Sequence, residues 1–171
     1  TGSAPIVAEI AKQQGAIVIA MVTYPFALER ARTIKADEGL AALQKVADTV
    51  IVIDNNRLAE LVPNLPIGDA FKVADEVMAR TVRGITETIT QPSLINLDYA
   101  DVRAIMSDKG LSVIAVGESK HVDKVREVVQ DTLRNALLDV DISGAKGALI
   151  HITGGTELTL GEANAIGTEL T

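Results

Sequence analysis

The sequence predicts an α/β fold built on a doubly wound, parallel layer, and three observations carry that expectation. Two short apolar runs rich in β-branched residues, Ala16 to Val22 and Thr49 to Ile53, read as buried parallel strands. Helical stretches alternate with them in the order helix, strand, helix, strand. A longer stretch, Asp69 to Ile89, then repeats apolar residues every three or four positions, the period of a helix buried along one side.

Each element has a local reason. Pro5 to Gln14 reads as a helix: Ile6, Val7 and Ile10 share one side, Pro5 suits the first turn and Gly15 ends it. Pro25 interrupts after the first strand. Ala27 to Val46 is helical in composition, with Leu40, Leu43 and Val46 on one face. Asp54-Asn55-Asn56 reads as a turn or helix cap, and Arg57 to Val62 as a short helix stopped by Pro63 and Pro66. In the long helix, Phe71, Ala74, Met78, Val82, Ile85 and Ile89 form the stripe, Asp69 is the expected N-cap and Pro92 marks the end. Asp98 to Met106 is a further short helix and Leu111 to Val116 a strand. Val122 to Leu137 is an amphipathic helix that should bury Val125, Val128, Val129 and Leu133. Ala148 to Thr153 reads as a strand of a second sheet, Gly154-Gly155 as a turn, and Leu160 to Leu170 as a last helix. No internal repeat or low-complexity tract is visible.

Bulk properties narrow the function classes. At 171 residues the chain is one large domain or two small ones. Aromatic residues make up only 2%, so the core must be aliphatic. The net charge of −7 without a basic stripe argues against nucleic acid as a partner. With no cysteine, disulfides and thiolate metal sites are excluded, which is compatible with a reducing cytosol. No apolar run is long enough to insert across a bilayer, and the start lacks a secretory-signal pattern.

Four places carry candidate chemistry. Asn96, Asp98 and Asp101 pack an amide and two carboxylates into six residues. The aspartates stand three apart and share a face if a helix starts near Leu97. Such a cluster can hold and polarise a water for attack on a phosphate. Carboxylates also cap helix N-termini, so both readings stand. Thr1-Gly2-Ser3 precedes a helix whose N–H groups and dipole favour an anion, although a serine there is also an ordinary cap. Phe71 and Asp75 lie one helical turn apart. A ring can stack on a base, and a carboxylate can accept two hydrogen bonds from guanine that adenine cannot supply. A core Phe and a solvated Asp would look the same. Glu29, with Arg30, Arg32 and Lys35, is a charge cluster that solvation alone would explain. There is no G-x-x-x-x-G-K-[ST] phosphate loop, and Gly117-Glu118-Ser119-Lys120 reads as a strand-to-helix turn. His121 and His151 are isolated, and His151 reads as structural. No multi-ligand transition-metal constellation is present in the sequence.

Several of these segments, in this order, resemble FtsZ, the prokaryotic tubulin-like cell-division GTPase family. Asn96-Leu97-Asp98-Tyr99-Ala100-Asp101-Val102 looks like its synergy loop, N-x-D-x-x-D. Thr1-Gly2-Ser3-Ala4-Pro5 is similar to the end of the tubulin signature loop. Val22-Thr23-Tyr24-Pro25-Phe26, the run Ala70 to Val77 and the run Gly144 to Gly155 continue the likeness, and the stretch from Tyr24 to Glu29 is closest to archaeal members.

The resemblance implies a layout: residues 1–68 as the C-terminal half of the GTP-binding domain, 69–90 as a central helix, and 91–171 as the synergy loop and an α+β second (activation) domain. Further family strands would lie upstream of Thr1 and downstream of Thr171. It implies that Thr1, Gly2, Ser3, Glu29, Arg32, Thr33, Phe71 and Asp75 contact GTP or GDP. It also implies that Mg2+ is held mainly through the nucleotide phosphates. The family usually has an arginine where this chain has Thr33, so Arg32 is the expected substitute. Asn96, Asp98 and Asp101 would complete the GTPase site of the adjacent subunit in a head-to-tail homopolymer. Division-ring accessory proteins are the implied further partners, and the cytoplasm at the division site the implied location. Three other readings stay open: a catalytically incomplete, filament-capping module, a tubulin-like cell-shape paralogue, and an unrelated small-molecule α/β enzyme.

Overall fold

The computed structural model describes residues 2–91, 98–107, 110–119, 124–138 and 144–171. A three-stranded parallel sheet in the order β1-β2-β3 organises it: β1 is Ile19–Tyr24, β2 is Thr49–Asp54 and β3 is Gly110–Ser112. The helices are α1 (Ala4–Gln13), α2 (Arg30–Val46), α3 (Asn55–Leu61), α4 (Ile67–Thr90), α5 (Tyr99–Met106), α6 (Lys124–Arg134) and α7 (Leu160–Leu170).

Alternation along β2 splits the core in two. Val50 and Val52 pack with Leu43 and Ala47 from the end of α2, together with Ala20 and Val22 of β1. Ile53 faces the other way, onto Leu58 of α3, Ala74 of α4 and Leu137. Thr49 to Ile53 are all buried, as a strand covered by helices on both faces must be. The doubly wound expectation holds, and β3, beyond α4 and α5 in the sequence, pairs with β2 in that same sheet.

Several expectations need correction. The helix after β1 starts at Arg30 rather than Ala27, because Phe26 to Glu29 form a turn closed by the Glu29 N–H to Phe26 carbonyl bond, 2.9 Å. Asp69 is not the cap of α4. Pro66, with φ −54° and ψ 145°, occupies that position, and Asp69 sits in the first turn paired to Lys72. On α1 the apolar stripe faces outward: Ile6, Val7 and Ile10 are 56–64% exposed, and the small Ala8 is the buried contact. Leu133 of α6 is likewise exposed, leaving Val129 as that helix's buried anchor. β3 is three residues long and gives way to an isolated antiparallel bridge, Ala115 to Ala136. Residues 148–153 form no strand, having no partner ladder among the described residues. The expected turn at Gly154-Gly155 sits slightly later, closed by the Leu158 N–H to Gly155 carbonyl bond. His121 and Lys120 lie outside the described residues. His151, exposed, lies against Gly84 and within 3.3 Å of the Thr88 hydroxyl.

The second half of α4 has a repeated device. The hydroxyls of Thr81, Thr86, Thr88 and Thr90 each donate to the carbonyl four residues back, at 2.7–2.8 Å. Its C-cap, Gln91, is extended, as the residue before a proline should be.

Asp48 joins the amino ends of the elements. Its Oδ1 accepts from Lys12 Nζ at 2.9 Å and its Oδ2 from the Val18 N–H at 3.0 Å. Burial alone would raise its pKa. The two hydrogen bonds and the positive charges of Lys12 and Arg103 outweigh that and hold it below the ordinary 3.8. Asp48→Ala should therefore destabilise the chain by about 1.5–3 kcal/mol at pH 7, the range for hydrogen bonds to a charged group. Because folding lowers this pKa, the contribution is complete above the ordinary carboxylate range and is lost as pH falls through the folded value. Urea melts of wild type and Asp48→Asn should converge on acidification; a gap that widens toward acid would contradict this.

Candidate functional site

The carboxyl ends of parallel strands are where an open α/β sheet offers a ligand crevice, and four separate segments meet there. Phe26 and Glu29 lie just past β1, Asn55 just past β2, and Phe71 in the second turn of α4. The C-terminal end of α1 is tied to Asp48 at the opposite edge through Lys12. The N-terminus of α1, with Gly2 and Ser3, therefore points to the crevice edge.

Hydrogen bonds hold this corner together. The Asp54 side chain caps α3 by accepting from the Asn56 N–H, 2.8 Å. Asn56 Oδ1 in turn accepts from the Ala27 N–H, 3.0 Å, which ties the turn after β1 to the start of α3. Glu29 is the N-cap residue of α2. Its Oε1 accepts from the Phe26 N–H at 3.1 Å, and its Oε2 from Arg32 Nη1 at 2.9 Å. The Phe26 ring meets Phe71 edge to face, centroids 5.7 Å apart. Phe71 remains 43% exposed and Asp75, one turn on, is exposed without a hydrogen bond to any described residue. A flat apolar face next to a free carboxylate is what base recognition needs.

In the sequence, Asn55 stands only as part of an Asp-Asn-Asn turn or cap. The structure buries it to 6% exposure and leaves its Oδ1 with no hydrogen-bond partner among the described residues. An orphaned buried acceptor costs free energy unless something donates to it. Its position, a polar residue directly after a buried strand, was the available signal.

The remaining nucleotide candidates are less engaged. Thr1 lies outside the described residues. Ser3 precedes α1 without a side-chain cap bond, so its hydroxyl is uncommitted, and Gly2 beside it is exposed. Arg32 is turned to Glu29 on the surface, and the Thr33 hydroxyl donates back to the Arg30 carbonyl, 2.7 Å. Neither reaches the crevice through a contact given by this structure.

The acidic pair is elsewhere. Asp98 is the N-cap of α5, and its Oδ1 accepts from the Asp101 N–H at 2.9 Å. Asp101 Oδ2 accepts in return from the Asp98 N–H at 3.2 Å. This is a capping box with aspartate in both roles. Both carboxylates are exposed, and each spends only one oxygen on the cap. Capping and chemistry are therefore compatible in the same residues. Asn96 lies outside the described residues.

These aspartates are not near Phe71 and Asp75. The part of α4 from Phe71 to Thr90 runs between them, roughly 28 Å at 1.5 Å per residue. The far end of α5, at Arg103 and Ser107, shares a cavity with Lys12, Asp48 and residues 15–17, at the amino ends of the strands. Base-side and acid-side candidates thus sit at opposite ends of the molecule. Among the described residues, no group of three or more His, Asp or Glu could hold a metal ion by itself. No helix among them is long and apolar enough to cross a membrane.

Known proteins match both halves. Residues 1–63 match the GTPase domain model of the Tubulin/FtsZ family, and residues 110–171 match the C-terminal domain model of the FtsZ family. The whole chain is 64% identical to cell division protein FtsZ 2 of Methanocaldococcus jannaschii, covering 46% of that protein. It is 60% identical over its full length to FtsZ 2 of Halobacterium salinarum, covering 44% of it. Among solved structures, an empty FtsZ dimer from M. jannaschii superposes with a TM-score of 0.93 at 50% identity, over 98% of this chain and 49% of that one. The chain spans about half the length of the relatives it matches.

The reciprocal cap makes a separable prediction. Asp98→Ala should cost about 0.5–2 kcal/mol through loss of the cap, whereas Asp98→Ser, a good capping residue, should retain most of it. Exchange protection of the Asp101 amide reports this directly. Equal protection in wild type and Asp98→Ala would show that the cap contributes nothing.

Proposed function

The chain belongs to the FtsZ family, and from that premise we propose that the full protein is a GTP-binding, GTP-hydrolysing cytoskeletal protein of cell division that polymerises head to tail. The observation that carries this is the separation of the two half-sites. One chain cannot bring Asp98 and Asp101 to a nucleotide held beside Phe71, because α4 stands between them. A second copy stacked end to end can. That one matched relative was solved as a dimer supports self-association.

At the carboxyl ends of the strands, Phe71 stacks on the guanine and Asp75 accepts its N1–H and N2–H. Asn55 Oδ1, buried and without a partner among the described residues, is the further acceptor for a donor of the base. This acceptor pair favours guanine, since adenine would leave a carboxylate unpaired. Glu29, held by Phe26 and Arg32, faces the ribose. Gly2 and Ser3, with Thr1 named on sequence alone, receive phosphate at the N-terminus of α1. Arg32 and Thr33 are the weakest members of this set: Arg32 reaches the phosphates only by releasing Glu29. Residues 1–68, 69–90 and 91–171 serve as the GTP-binding part, the connecting helix and the activating part.

From the neighbouring copy, the free oxygens of Asp98 and Asp101 orient the attacking water and accept its proton, and Asn96 helps to place it. The nucleophile is the water oxygen; the bond broken joins the terminal phosphoryl group to GDP. Mg2+, when bound with the nucleotide, neutralises phosphate charge, which lets two carboxylates approach. Loss of the terminal phosphate weakens the contact between subunits and permits turnover. We place the protein in the cytoplasm at the division site, with division-ring accessory proteins as further partners.

In a full-length FtsZ carrying this segment, Asp101→Ala should leave GTP binding within about twofold and abolish turnover. Bound nucleotide falling in parallel with activity would sink the shared-site assignment. Asp75→Ala should weaken GTP and relax discrimination against ATP, measured by competition binding. Unchanged selectivity would remove Asp75 from the base site. Asp98→Ser, which keeps the cap, should fold normally and still lose turnover. Alone, the 171-residue chain should inhibit assembly of a full-length FtsZ in light scattering, since it offers Asp98 and Asp101 to the nucleotide end of a full subunit; undisturbed assembly would count against the shared site.

A further inference from the structure

The aim of the acidic pair depends on how α5 is held. Val102 and Met106, one turn apart, are buried at 1% and 7% exposure. Half-buried Ile105 packs beside them, against Gly147; anchors on one face fix where a short helix lies but resist rotation about its axis less well than anchors on two faces would. Rotation matters: a side chain about 6 Å from the axis moves ~1 Å for each 10°, and a misplacement of about 1 Å can cost 10²-fold in rate.

The groups that could stop rotation lie at the C-terminal end of α5. Arg103 and Ser107 form one wall of a cavity of about 140 Å3. Lys12, Asp48 and the turn at residues 15–17 form the other. Asp48 is fixed there, since Lys12 Nζ takes Oδ1 and the Val18 N–H takes Oδ2. Arg103 makes no ion pair with any described residue. At ~30 Å3 per water, the polar space between them, partly open to solvent, has room for roughly five waters. Bridging water transmits a hydrogen bond almost as well as direct contact, and the guanidinium offers several donors in a fixed plane.

We propose that Arg103 is a positioning residue, anchored across this cavity on the immobilised Asp48, that sets the rotation of α5 and so the aim of Asp98 and Asp101 into the neighbouring subunit. The inference rests on the shared-site reading and adds a part to it: the GTP-binding half of one chain aligns the acidic half of the same chain, which then acts on the next copy. Arg103 touches neither nucleotide nor attacking water.

The test uses a full-length FtsZ carrying this segment, assayed at saturating protein. Arg103→Gln should lower kcat about tenfold while the KM for GTP and the affinity of monomer for GDP stay within twofold. Arg103→Lys, which keeps the charge, should recover at least half the rate. Asp48→Asn combined with Arg103→Gln should reduce kcat no further than the more damaging single change. Wild-type kcat in Arg103→Gln, a parallel fall in nucleotide affinity, no recovery with Lys, or losses that multiply would each overturn the proposal. Asp101→Ala run beside these separates the two claims. A dead Asp101→Ala with an unimpaired Arg103→Gln removes only the anchor; an active Asp101→Ala removes the shared site itself.

Discussion

Burial of β2 on both faces is the constraint from which the rest of the arrangement follows. Thr49 to Ile53 are almost completely removed from water, and this requires helices on both sides of the sheet. The end of α2 covers one face; α3, the start of α4 and Leu137 cover the other. Fully burying an aliphatic side chain is worth about 1.5–3 kcal/mol, so this strand is the densest source of stability in the described fold. It also sets polarity. Asn55 leaves the carboxyl end of β2 toward the crevice, and Asp48 enters the amino end within the cavity shared with α5. One strand thereby orients both candidate ends of the molecule.

Much of this was legible because the relevant signals are local. The apolar run at 49–53 named the buried strand, the 3.6-residue stripe from Phe71 to Ile89 named α4, and Thr159 with Glu162 forms a capping box that starts α7 where the sequence placed it. What failed depends on partners. Ile6, Val7 and Ile10 have the spacing of a buried face, yet spacing cannot say which side meets the sheet. β1 reads as buried as β2 but is only partly covered, because it is an edge in this sheet. The segment 148–153 has strand composition, and composition cannot supply a neighbouring ladder. Asp69 lost the cap because Pro66 already fixes the entry to α4.

The candidate site divided in the same way. Motif spacing found Asp98 and Asp101, and the cap that physics alone suggested is present in full. The two readings turn out to use different oxygens of the same carboxylates. Asn55 is not legible as a site residue, since an asparagine in an Asp-Asn-Asn run is ordinary turn chemistry; only its burial in three dimensions leaves Oδ1 without a partner among the described residues. Arg32, chosen from sequence as a replacement for a phosphate contact, is instead spent on Glu29.

The threonine hydroxyls along α4 have a mechanical consequence. Each adds a second donor to a carbonyl already serving the helix ladder, which tilts the peptide and favours bending. They occur at positions 81, 86, 88 and 90, beside Gly84, and not near Phe71 and Asp75. Any bending of α4 is therefore favoured in its last three turns, next to the acidic end, rather than where Phe71 and Asp75 stand.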